Sequence, residues 1–102
     1  MQTILVVDDE RNVHYSFQRA LGEAFRIISA FSGEEALQKL PAEKPHLVLL
    51  DVKLSGLGGL ETLQQIKALD RDLPVIILTA YGTTETAITA IKLGAYDYLL
   101  KP

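Results

Sequence analysis

The sequence predicts an α/β fold, a doubly wound parallel sheet of five strands, and three observations predict it. Short apolar runs alternate with amphipathic stretches along all 102 residues, and that alternation implies parallel strands joined by right-handed crossovers with helices on both faces. The run His46-Leu47-Val48-Leu49-Leu50-Asp51 is apolar without alternation, as befits a strand buried on both faces. Four of the runs end on residues that can handle a phosphoryl group: Asp8 and Asp9, Asp51, Thr79, and Lys101. The carboxyl ends of parallel strands open on one edge, so these side chains can converge there.

Thr3 to Asp8 reads as the first strand, followed by Val13, Phe17, Ala20, Leu21 and Ala24 at helical spacing. Arg26 to Ala30 is the second strand. Ser32 and Glu35 then make a capping box that opens a short helix carrying Ala36, Leu37 and Leu40, and Pro41 and Pro45 bracket the loop that ends it. The third strand exits at Asp51 into the flexible loop Ser55-Gly56-Leu57-Gly58-Gly59, and a third helix turns Leu63, Ile66 and Leu69 inward. Pro74 restarts extended chain. Val75 to Thr79 is the fourth strand, Thr84 to Leu93 a helix that Gly94 can cap, and Tyr96 to Leu100 the fifth strand. Periodicity leaves the strand order open. The flavodoxin-like order 2-1-3-4-5, one of two common solutions, would set strands 1 and 3 side by side and bring Asp8, Asp9 and Asp51 together.

Length and composition bound the rest. One domain of 102 residues fits, with 48% apolar and 23% charged residues, and no segment approaches the length of a membrane-spanning helix. The apolar stretch after Gln2 is too short, and too soon ended by acids, to be a signal peptide, so a cytoplasmic location is expected. With no cysteine, disulfides and thiolate chemistry are excluded and any metal must be held by oxygen. A net charge of −3 disfavours direct nucleic-acid contact by this segment.

Carboxylates gathered in one crevice repel one another unless a cation joins them. Mg2+ suits such a pocket, since it accepts one or two carboxylates and keeps waters and phosphate oxygens. It would also screen a carboxylate attacking an anionic phosphorus, and Asp51, alone at its strand's exit, is the candidate nucleophile. Phosphoryl transfer asks for positioning and charge stabilisation around three oxygens; the Lys101 ammonium and the Thr79 hydroxyl can each meet one. Taken singly, Asp8 and Asp9 could be helix-opening acids, Asp51 a turn residue, Thr79 a strand hydroxyl and Lys101 a solvated charge. Taken jointly, those readings leave the convergence unexplained. His14 and His46 are read as surface or loop residues with no assigned role, and Glu10 as a first-turn helix acid that could also add negative field near a metal.

Asp8-Asp9-Glu10, Asp51, Thr79-Ala80 and Lys101-Pro102 together resemble the receiver domains of two-component response regulators, over the whole chain. The stretch from Thr79 through Glu85-Thr86-Ala87 to Leu93-Gly94-Ala95-Tyr96-Asp97-Tyr98-Leu99 is similar to receivers of NtrC-type activators. The resemblance implies a phosphoacceptor switch: Asp8, Asp9, Asp51 and the Lys53 carbonyl bind Mg2+, Asp51 takes phosphate from a sensor histidine kinase, and Thr79 and Lys101 engage it. It further implies a Thr79 shift with inward rotation of Tyr98, acting on an output domain, and only slow self-phosphorylation and self-dephosphorylation rather than enzyme turnover. A half-buried structural aromatic is the alternative for Tyr98. Thr83, Thr84, Thr86 and Thr89 would weaken the fourth helix enough to let it shift. Lys53 and Tyr81 would tune how water reaches the phosphoryl group.

Two departures from the family pattern stand out. Leu54-Ser55 replaces a common Met-Pro and Gly58 a common Asp, which loosens the loop. The resemblance also implies a fifth helix after Lys101-Pro102, absent from residues 1–102, so the chain reads as a receiver truncated before its C-terminal helix. An apolar strip beside strands one and five would then lack cover and favour a homodimer.

Overall fold

The computed structural model describes residues 1–54, 56–80 and 85–102. Ser55, Tyr81, Thr83 and Thr84, named above for loop freedom, phosphoryl tuning and helix weakness, lie outside the described residues, as does Gly82. The elements run β1 (Thr3–Val7), α1 (Arg11–Leu21), β2 (Arg26–Ala30), α2 (Gly33–Glu43), β3 (Leu47–Asp51), α3 (Gly59–Leu69), β4 (Val75–Thr79), α4 (Glu85–Lys92) and β5 (Asp97–Leu100). All strand pairs are parallel and the sheet order is β2-β1-β3-β4-β5. That is the order which puts β1 beside β3, with Val7 opposite Leu50.

Alternate side chains of the central strands feed two apolar layers. Leu5, Val7, Val48, Leu50, Val75 and Ile77 face one way and pack with Ala36 and Leu40 of α2, Leu63 and Ile66 of α3 and Ala90 of α4. Ile4, Val6, Leu49 and Leu78 face the other way, against Val13, Phe17 and Leu21 of α1. Burial on both faces explains why β1, β3 and β4 read as unbroken apolar runs.

Local signals account for the helix ends. Ser32 Oγ accepts the Glu35 backbone N–H at 3.0 Å, and the Glu35 carboxylate reaches back to the Phe31 N–H at 2.7 Å. Gly94, at φ 112°, ends α4 in a left-handed turn that lets the Ala95 N–H reach the Ala90 carbonyl at 3.0 Å.

Several expectations need correction. The second helix does not stop at Pro41 but runs through it to Glu43; proline removes one backbone donor, and the turn still closes through the Lys44 N–H on the Leu40 carbonyl at 3.0 Å. Leu69 is 68% exposed rather than inward, because the last turn of α3 overhangs the layer that buries Leu63 and Ile66. Ala20 is exposed and Ala24 lies beyond the end of α1, so only Val13, Phe17 and Leu21 of that series pack on the sheet. Asp8, His46 and Tyr96 fall just outside their strands.

Candidate functional site

The carboxyl edge of the sheet gathers the acids. Asp8 follows β1 and is fully buried; its N–H donates to the Ala30 carbonyl at 3.1 Å, which prolongs the strand ladder by one residue. Its Oδ1 accepts the Glu10 N–H at 2.9 Å, a tight turn that swings Asp9 and Glu10 out to the exposed rim. Carboxylate oxygens of Asp8, Asp9 and Glu10 lie within 4.8 Å of one another. Asp51 closes β3, 3% exposed, with Oδ1 accepting the Lys53 N–H at 3.0 Å. Thr79, 1% exposed, closes β4.

Lys101 ties the edge together. Its backbone N–H donates to the Thr79 carbonyl at 2.8 Å, which aims the side chain across the mouth of the sheet. Nζ then sits 3.1 Å from Asp8 Oδ2, 3.2 Å from Asp51 Oδ2 and 2.8 Å from Glu10 Oε1. Glu10, expected chiefly as a helix acid, is the nearest carboxylate to this ammonium among the described residues. The contact to Asp8 is an ion pair without hydrogen-bond alignment, so Oδ2 is a buried carboxylate oxygen with no hydrogen-bond donor among the described residues.

The charges respond accordingly. Burial pushes the Asp8 carboxyl above its ordinary value, the Glu10 N–H and Lys101 oppose that rise, and the Asp51 charge adds to it. Burial would lower Lys101, but its close contacts with the Glu10, Asp8 and Asp51 carboxylates outweigh it and hold the ammonium well above its ordinary value. One ammonium therefore neutralises part of an acidic pocket that has a donorless oxygen at its floor. A hard cation with oxygen ligands fits that donor set.

The approach of α3 depends on a missing side chain. A Cβ on Gly59 would stand 2.5 Å from both the Asp51 and Val52 carbonyls, so only glycine lets the helix start this close to the end of β3. His14, set aside in the sequence reading as a surface or loop residue, is instead 6% exposed: Nε2 lies 2.6 Å from the Asp8 carbonyl and the ring packs on Phe31 at 4.3 Å between centroids. The signal available was its spacing, one turn into α1 and on the same side as the end of β1. His46 is exposed, at the opposite edge, where Nδ1 accepts the Thr3 N–H at 2.9 Å.

The model of the response regulator receiver domain matches residues 4–102. This chain belongs to that family. Receivers of this kind are signalling domains rather than enzymes in the usual sense. Over 101 residues the chain is 45% identical to the transcriptional regulatory protein ZraR of Escherichia coli K12, covering 97% of this chain and 23% of the relative. It is 39% identical to the DNA-binding transcriptional regulator NtrC of the same organism, covering 97% and 21%. The receiver thus spans about a quarter of the curated NtrC-type relatives it matches.

Among solved structures, the N-terminal domain of a response regulator receiver protein from Methanoculleus marisnigri JR1 superposes with a TM-score of 0.90 at 43% identity, over 100% of this chain and 85% of that one. The receiver domain of NtrX from Brucella abortus gives 0.90 at 40% identity, over 97% and 85%. No helix among the described residues is long and apolar enough to cross a membrane.

Proposed function

We propose that this receiver accepts a phosphoryl group on Asp51 from the phosphohistidine of a sensor histidine kinase and passes the change to an output domain that regulates transcription, as in its NtrC-type relatives. The observation that carries the reading is the Lys101 ammonium within 3.2 Å of Asp51 Oδ2 at an acidic, buried strand edge. Asp51 Oδ1 is held by the Lys53 N–H, leaving the Oδ2 side open toward Lys101. A carboxylate oxygen attacks phosphorus, the new O–P bond forms as the N–P bond of phosphohistidine breaks, and the imidazole leaves with the bonding pair. Lys101 shifts from shared acids to a phosphoryl oxygen, and the Thr79 hydroxyl takes another.

Asp8, Asp9, Asp51 and the Lys53 carbonyl would hold Mg2+, which neutralises charge on the incoming phosphate. Glu10, whose carboxylate lies within 4.8 Å of those of Asp8 and Asp9, would add negative field beside the ion. Tyr98, half-buried on β5 against the larger apolar layer, is the proposed switch residue. Leu99 and Leu100, 46% and 59% exposed on the last strand, are proposed as part of a face used in homodimers. Contact with DNA is assigned to the output domain, and the location to the cytoplasm.

The test is incubation with Mg2+ and acetyl phosphate, read by intact mass, for the parent chain and Asp51→Asn. One phosphoryl adduct on the parent and none on the variant is expected. An adduct of equal yield on the variant overturns the assignment.

A further inference from the structure

We propose that His14 is a positioning residue for the cation site, holding the peptide that joins the two acids expected to bind the ion; the inference rests on the Mg2+ reading above. A carbonyl oxygen can only accept, so the 2.6 Å contact to the Asp8 oxygen makes Nε2 the protonated ring nitrogen. Nδ1, the other ring nitrogen, is buried with no hydrogen-bond partner among the described residues. The ring earns its place through a single bond, to Asp8.

That bond falls where it has leverage. The peptide unit is planar and the chain is anchored on either side of it, at the Asp8 and Glu10 N–H groups, so turning the Asp8 carbonyl would change ψ of Asp8 and φ of Asp9 together; holding that carbonyl therefore constrains the bearing of the Asp9 side chain relative to Asp8. The remaining polar groups of Asp8 are already engaged: its N–H by Ala30 and Oδ1 by the Glu10 N–H. With His14 on the carbonyl, Oδ2 is the one polar atom of Asp8 without a hydrogen bond among the described residues, and it lies 3.1 Å from Lys101 Nζ. The ring cannot drift, because it lies against Phe31, over which Arg11 stands with its guanidinium carbon 6.0 Å from the ring centroid. Phe31 is in turn pinned through its N–H to Glu35. A chain of contacts from the N-terminus of α2 through α1 thus orients a peptide that itself supplies no ligand. Groups that orient metal ligands commonly change affinity by about 10- to 100-fold when removed.

Calorimetric titration of the full chain with MgCl2 tests this, using His14→Leu, which fills the space without a donor, and His14→Gln, whose amide N–H reaches about as far as Nε2. Urea unfolding of each variant is measured alongside. Affinity lowered about tenfold or more in His14→Leu, and kept within about threefold of the parent in His14→Gln, is the expected result. A cooperatively folded His14→Leu with parental Mg2+ affinity overturns the inference while leaving the metal reading intact. A parent chain that binds no Mg2+, and is matched in this by Asp9→Asn, removes the metal reading and this inference with it. If His14→Leu does not fold, nitrogen NMR of the parent decides: an Nε2–H tautomer whose resonance moves on adding Mg2+ is expected, and an Nδ1–H tautomer or an unmoved resonance overturns the proposal.

Discussion

Replacing Lys101 with methionine keeps most of the side-chain volume and removes an ammonium that lies within 3.2 Å of both Asp8 and Asp51. Each of those pairs is worth about 5 kcal/mol of attraction at an effective dielectric near 20. The cost of desolvating the ions cancels much of it, and breaking a buried pair typically costs ~3–5 kcal/mol. The Lys101 side chain keeps 13% exposure, which favours the lower end. A ceiling follows from proton linkage. Asp8 can take up a proton instead of staying charged, and from its ordinary value of 3.8 that costs ~1.4 kcal/mol per pH unit, or about 4 kcal/mol at pH 7.

Lys101→Met should therefore lose about 3 kcal/mol at pH 7 and no more than roughly 1.6 kcal/mol at pH 5, where the proton is cheaper. A domain of this size has on the order of 5–15 kcal/mol in hand, so the variant folds. Urea unfolding followed by tyrosine fluorescence, in chelator, gives both numbers; the chain has four tyrosines and no tryptophan. Added Mg2+ should stabilise the variant more than the parent, since no lysine competes for the acids. A loss below about 1 kcal/mol at pH 7, or a loss that does not shrink on acidification, refutes the view that Lys101 balances a buried acidic pair.

Two further outcomes are expected. Gly59→Ala should cost about 2 kcal/mol or more, because its Cβ would meet two backbone carbonyls at 2.5 Å, and acetyl phosphate should label it more slowly; an unchanged urea midpoint would show that α3 can step back freely. Glu35 has its carboxyl held below the ordinary 4.5, chiefly by the Phe31 N–H, with burial opposing and Lys39 assisting. Its charge thus adds stability above pH 4.5 that disappears as the pH falls through the lower folded value. Glu35→Gln should be weaker than the parent at neutral pH by up to about 1 kcal/mol, with the gap closing in acid, and a gap that is constant with pH would contradict the assignment.

What could be read beforehand follows from which interactions are local. Strands β1, β3 and β4 announced themselves because two-sided burial forbids polar interruptions, and Ser32 with Glu35 marked a helix start through bonds made within four residues. Periodicity left strand order open between common solutions, since nothing in a strand's own residues names its neighbour, and only the convergence of Asp8, Asp9 and Asp51 favoured the order observed. Proline rules placed the end of α2 too early, because they price the lost bond at Pro41 and not the packing of Leu37 and Leu40 around it. At the site, Asp8, Asp51, Thr79 and Lys101 were legible as strand-end residues. The parts of Glu10 and His14 were not, because each acts through a partner that the fold supplies: an ammonium 91 positions away and a backbone carbonyl.

That long reach has a bearing on synthesis. Glu10 and Lys101 are 91 residues apart, and Asp51 and Lys101 are 50 apart. During synthesis Asp8 and Asp51 emerge before Lys101, so any early pairing of β1 with β3 would set the two carboxylates together without their balancing ammonium. Loop closure over such spans is slow. Divalent ions in the cell would act at that stage as a temporary stand-in for the lysine, so folding yield in a translation extract should follow free Mg2+ most steeply for chains stalled before β5.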